Sequence, residues 1–167
     1  MRLRLVQPDD AEAIRSIYNH EVTSGTNTFD LVGRSLEEQR AWIERHRGAH
    51  PAIVGVEEDG ARAGEPVLGF AVVSPFRDRA AYATTVEDSV YVHRDHRGKG
   101  IGRALLDELL RLAAGHGFHA VIARISSENG PSIQLHRACG FETVGVEREV
   151  GRKHGRWLDV VELQRML

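Results

Sequence analysis

A chain of 167 residues is long enough to bury a core, and 41% hydrophobic with 28% charged residues excludes a disordered chain. Its 22 basic and 24 acidic residues give a formal net charge of −2, with no bulk electrostatic pull toward nucleic acid or an anionic membrane. A single cysteine, Cys139, excludes an intrachain disulfide. With no signal-peptide stretch and no run of membrane-span length, the expectation is a cytoplasmic protein without a membrane or nucleic-acid partner.

Arg2 to Gln7 alternates polar and apolar residues and predicts a half-buried strand, stopped by Pro8. Asp9 or Asp10 is placed to cap a helix carrying Ala13, Ile14, Ile17 and Tyr18. Thr23 to Gly33 reads as a loop with Phe29 as its one large apolar residue. Ser35 and Glu38 then form a capping box for a second helix through Trp42 and Ile43. Ala52–Glu57 and Val67–Val73 predict an antiparallel hairpin around a turn from Asp59 to Pro66. A further strand is expected at Ser89–His93. The helical spacing of Ile101, Leu105, Leu109 and Leu112 predicts a helix from Gly100 to about Ala114, ended by Gly115 and Gly117. A strand at Ala120–Ile125, a short helix at Ser132–Ala138 and strands at Phe141–Val150 and Trp157–Leu163 complete the chain. The expected architecture is one α/β (α+β) domain over residues 1–167, with a mixed, mostly antiparallel sheet flanked by helices.

The segment richest in chemistry is Val90-Tyr91-Val92-His93-Arg94-Asp95-His96-Arg97-Gly98-Lys99-Gly100-Ile101-Gly102-Arg103. A strand feeds a turn with glycines at alternate positions, and the turn opens a helix. Glycine lets a ligand lie against the backbone, and the first helical turn offers unpaired N–H groups to phosphate oxygens. Arg97, Lys99 and Arg103 add positive charge. Ile101 breaks the Walker pattern, and Arg103 and Leu105 stand where a dinucleotide fingerprint requires glycine.

What fits is Arg97-Gly98-Lys99-Gly100-Ile101-Gly102, which resembles the Arg/Gln-x-x-Gly-x-Gly/Ala pyrophosphate loop of the GNAT acetyltransferases. The downstream Asn129, the Ser132–Ala138 helix and the terminal Gly140-Phe141 keep that superfamily's order. The resemblance implies acetyl-CoA as co-substrate. Val90, Tyr91 and Val92 would hold the thioester and pantetheine arm, Gly98 to Arg103 the pyrophosphate, and Asn129 and Ser132 the remainder of the arm. Ile17-Tyr18-Asn19-His20, Ser74–Tyr82, Thr85–Val92 and Lys153–Asp159 further resemble the phosphinothricin and methionine sulfoximine acetyltransferase branch, so that nearly the whole chain is covered. That branch implies a small-molecule amine acceptor and a homodimer.

Acetyl transfer needs a neutral amine, and amines are mostly protonated at neutral pH, so a base must take a proton. The resemblance gives that role to Glu87, just before the Val90–Val92 strand, with Asp88 and Ser89 beside the acceptor. Backbone N–H groups of Val90 to Val92 are the economical donors to the acetyl oxygen. His136 stands where many GNAT enzymes carry a tyrosine that protonates the departing thiolate; the alternative is a histidine packed against the sheet. Arg77 and Arg79 suit an anionic group on the acceptor, with Tyr82 and Phe29 as walls. Two other readings remain open: acetylation of a protein or polyamine amine, and a non-catalytic acetyl-CoA-binding module. No histidine spacing suits a metal.

Overall fold

A computed structural model describes residues 1–58 and 66–167; the turn expected from Asp59 to Pro66 lies outside the described residues except for Pro66. Its elements are β1 (Arg2–Leu5), α1 (Ala11–Ser24), α2 (Leu36–Arg45), β2 (Ala52–Val56), β3 (Val67–Pro75), β4 (Thr85–Val92), α3 (Ile101–Gly115), β5 (Ala120–Ser126), α4 (Gly130–Ala138), β6 (Glu142–Lys153) and β7 (Arg156–Met166). The seven strands form one sheet in the order β1-β2-β3-β4-β5-β7-β6. β1 to β4 pair antiparallel, β4 and β5 pair parallel across the α3 crossover, and β5, β7 and β6 are antiparallel again.

Strand alternation sends successive side chains to opposite faces, and each face has its own core. On one face Ala71, Val73, Val86, Val121, Ala123 and Leu163 meet Leu105, Leu106 and Leu109 of α3. On the other Val54, Phe70 and Val72 meet Ile14, Ile17 and Val22 of α1 and Trp42 and Ile43 of α2. Leu105, Leu106 and Leu109 are fully buried, so truncating one to alanine would cost about 2–5 kcal/mol.

Local chemistry sets several element ends. Ser35 Oγ accepts from Glu38 N–H (3.1 Å) and Glu38 Oε2 from Ser35 N–H (2.7 Å), the expected capping box. Asp10, by contrast, makes no side-chain cap on α1. Its carboxylate instead accepts from both Nη groups of Arg4 (2.7 and 2.8 Å) and from Gln7 N–H (2.8 Å), one turn before α1. β4 starts at Thr85, four residues before the expected strand. The β6–β7 hairpin turns through His154 and Gly155, both at positive φ (50° and 75°), as a two-residue type I′ connection requires. Trp42 is core, as expected, whereas Trp157 is exposed beneath the Arg152 guanidinium.

Candidate active site

The parallel pairing of β4 and β5 is short. It joins Thr85 to Ala120, Val86 to Val121 and Glu87 to Ile122, and then stops. Beyond that point Asp88–Val92 stay on β3 and Ala123–Ser126 stay on β7, so the sheet splits. The wedge opens into a cleft of about 430 Å³. Its walls are Asp88 to Val92 of β4, Ala123 to Ile125 of β5, the turn and first residues of α3, and the start of α4. His93 N–H donates to Leu68 O (2.8 Å), which fixes the phase of the β3–β4 ladder. Ser89 and Tyr91 therefore turn their backbone groups to β3, and Asp88, Val90 and Val92 turn theirs into the wedge.

The glycine turn faces this wedge. Gly98 and Gly100 adopt φ of 74° and 78°, and no atom lies within 4 Å of where a Cβ would stand on either. Gly102 is glycine for another reason: a Cβ there would come within 3.2 Å of Leu135. Arg97 reaches Glu21 Oε1 through Nη2 and Val92 O through Nε (3.4 Å). Arg103 pairs with Asp107 (2.7 Å), one turn along α3. Lys99 bonds Asp95 O (3.1 Å) and is not among the cleft residues. Asn129 caps α4, its Oδ1 accepting from Ser132 N–H (3.1 Å), and both residues line the cleft. An open cradle beside two glycines, unpaired N–H groups at the start of α3 and the nearby cleft residues Arg97 and Arg103 fit a pyrophosphate-bearing ligand.

Two carboxylates flank the split on opposite faces. Asp88 belongs to the α3–α4 face, where its Oδ2 meets His136 Nε2 at 3.0 Å, both side chains almost fully buried. His136 Nδ1 lies 2.7 Å from Ser132 O, which can only accept, so Nδ1 carries a proton. Burial opposes charge on this imidazole, but the Asp88 carboxylate and the Ser132 carbonyl outweigh it and raise its pKa. Phe141 covers the ring edge-to-face at 5.0 Å. The histidine is thus packed against the sheet with both nitrogens engaged, and it lines the cleft as well. Asp88 Oδ1 is buried without a partner among the described residues.

Glu87 lies on the α1–α2 side, half-buried, at the last paired position of the split. Burial raises its carboxyl above the ordinary range, against an opposing pull from Arg124. Ser89 and Tyr91 share this face. Tyr91 stacks on Phe70 at 5.1 Å, and burial raises its phenol. Arg77, Arg79 and Tyr82 are not among the cleft residues; they sit on the segment leading into β4, where the Arg77 guanidinium covers the Phe76 ring (4.6 Å) and the Tyr82 ring (5.5 Å). Phe29 packs on Gly151 of β6, where a Cβ would come within 2.2 Å of its ring.

Sequence reasoning passed over Glu21, Asn27 and Arg124, all cleft residues. Each left a trace. Glu21 is a carboxylate on the apolar stripe of α1, four residues after Ile17, and Arg124 is the one charge inside an apolar strand.

The profile of the acetyltransferase (GNAT) family matches residues 12–141. The chain is 40% identical over 166 residues to a phosphinothricin N-acetyltransferase of Alcaligenes faecalis, covering 99% of this chain and 82% of that protein. It is 40% identical over 156 residues to an L-methionine sulfoximine/L-methionine sulfone acetyltransferase of Pseudomonas paraeruginosa, covering 93% and 88%. Its fold superposes with a TM-score of 0.92 on the crystal structure of a GNAT superfamily phosphinothricin acetyltransferase from Sinorhizobium meliloti in complex with AcCoA, at 41% identity over 99% of this chain and 88% of that one. A split sheet with a glycine cradle at its mouth, matched across the whole chain by such relatives, makes this protein a member of the acetyltransferase (GNAT) family and an acetyl-CoA-dependent N-acetyltransferase.

Proposed function

We propose that the chain transfers acetyl from acetyl-CoA to the amino group of a small amino acid analogue of the phosphinothricin, methionine sulfoximine or methionine sulfone type. The observation that supports this is the wedge that opens where β4 leaves β5 just past Glu87, a half-buried residue that borders the split although it is not among the cleft residues. Acetyl-CoA supplies an electrophilic thioester there. Glu87 takes the amine proton directly or through water, and its raised pKa suits a base working near neutrality. The Val90 and Val92 N–H groups turn into the wedge, where charge develops on the acetyl oxygen. The Asp88–His136 pair stands on the cofactor side and returns a proton to the departing thiolate. Arg77 or Arg79 meets the distal polar head of the acceptor, with Tyr82 and Phe29 as walls of its pocket. The working form is a cytoplasmic homodimer.

Turnover should be measured by release of free CoA thiol with methionine sulfoximine, methionine sulfone, phosphinothricin, spermidine and a lysine peptide. The amino acid analogues should be preferred. Glu87→Gln keeps the shape and removes the base, so kcat should fall about 10²–10⁴-fold and recover partly as pH rises. Wild-type rates in this variant at neutral pH would remove Glu87 from the chemistry. Best turnover on spermidine or the peptide would overturn the acceptor class, and binding of acetyl-CoA without turnover of any amine would leave a non-catalytic module.

A further inference from the structure

On the acceptor face of the split, Glu87 does not stand alone. Ile122 is its register partner on β5, so Arg124, two residues further on, projects to the same face at the mouth of the wedge. Strand rise and spacing put the two backbones roughly 8 Å apart along the diagonal, and the strands diverge there. Arg124 lines the cleft, and its side chain is 38% exposed. It is the sole basic charge in an apolar strand of sequence Ala120-Val121-Ile122-Ala123-Arg124-Ile125-Ser126. A long cation in such a strand costs burial unless it meets an anion. One partner is visible: Nη2 donates to Glu147 Oε2 of β6. Nε and Nη1 make no other hydrogen bond among the described residues, which leaves donor atoms of the guanidinium fork on the open side.

We propose that Arg124 is a specificity-determining residue that receives the α-carboxylate of the acceptor while Glu87 handles its amine. The assignment rests on the amino acid reading of the acceptor given above. An α-amino acid carries an ammonium and a carboxylate on one carbon, and this face carries Glu87 and Arg124 on neighbouring strands, two register positions apart. Glu162 of β7, the register partner of Arg124, and Glu147 add negative charge around it. An acceptor carboxylate can bind here only against Arg124, which fixes its orientation and leaves the amine toward Glu87. Arg77 and Arg79, outside the cleft, remain for the distal head.

The test compares methionine sulfone with 3-(methylsulfonyl)propylamine, the same acceptor without its carboxylate. The wild type should favour methionine sulfone, and Arg124→Ala should reduce that preference at least tenfold through KM rather than kcat. Acetyl-CoA affinity, read by calorimetry, should change less than threefold. Arg124→Lys, which keeps the charge and loses the fork, should restore part of the preference. Glu147→Gln releases Arg124 from its present partner and should lower KM for methionine sulfone. Equal losses on both acceptors, the signature of a merely structural arginine, would overturn the assignment while leaving the acetyltransferase reading in place. A large loss of acetyl-CoA affinity in Arg124→Ala would overturn it in favour of a cofactor contact. Wild-type turnover of neither acceptor, with efficient acetylation of spermidine, would overturn the amino acid reading and this assignment together.

Discussion

The three glycines of the turn look equivalent in the sequence and have different jobs. Gly98 and Gly100 sit at positive φ with open space beside them, whereas Gly102 lets α3 approach Leu135. A side chain at Gly100 therefore acts twice. It strains a left-handed backbone by about 1–2 kcal/mol and fills the open space beside the turn. Gly100→Val should lower the melting temperature modestly and weaken acetyl-CoA binding by a larger factor, measured by thermal scanning and calorimetry on the same preparation. An unchanged affinity in the folded variant would remove this turn from the cofactor site. Gly102→Val should show the reverse balance, with stability suffering first, because Leu135 and Val92 have to move.

At the scale of elements, β4 is one strand with two chemistries. Consecutive residues Glu87 and Asp88 face opposite sides, so one turns to the α1–α2 side and the other to the α4 histidine. The Asp88–His136 pair makes stability depend on pH in a definite direction. Its imidazole has a folded pKa above the ordinary 6.5. The folded state holds that proton more tightly than the unfolded state, so the contribution is fully present below 6.5 and is lost as pH rises through the folded value. Denaturant unfolding followed from about pH 6 upward should show stability declining once the pH passes 6.5. Asp88→Asn should flatten the decline and cost about 3–5 kcal/mol at pH 6, the usual penalty for leaving one member of a buried pair alone. A variant with the wild-type pH dependence would show that His136 is not held charged by Asp88.

For the whole molecule, the telling feature is the free edge of the sheet. β6 is the terminal strand, it is 12 residues long, and Val144, Val146 and Val150 are exposed on it beside Trp157 of β7. An edge strand that exposes valines between its charged residues is a template for association, and a second copy of the chain is expected to cover it. Light scattering should give twice the 18.6 kDa of the single chain. A lysine at Val146 should shift the mass toward the monomer without loss of the fold, because that side chain is already exposed. A wild-type mass near 18.6 kDa at working concentration would refute the dimer.

Much of this fold was legible before any coordinates, because its signals are local. The capping box at Ser35 and Glu38, the helical spacing of Leu105 and Leu109, and the glycine turn act over a few residues, and each appears where the sequence places it. The start of β4 at Thr85 was missed, since Glu87 and Asp88 interrupt the apolar pattern that marks a strand. Those two residues stand where the sheet splits, and the split depends on β5, more than 30 positions along the chain. Tertiary contact also decided that Asp10 serves Arg4 rather than α1, that Phe29 rests on Gly151, and that Arg124 joins Glu87 on one face. Periodicity tells which side of a strand a residue takes, but strand order and register decide what it meets there, and these are set by packing between segments distant in the sequence.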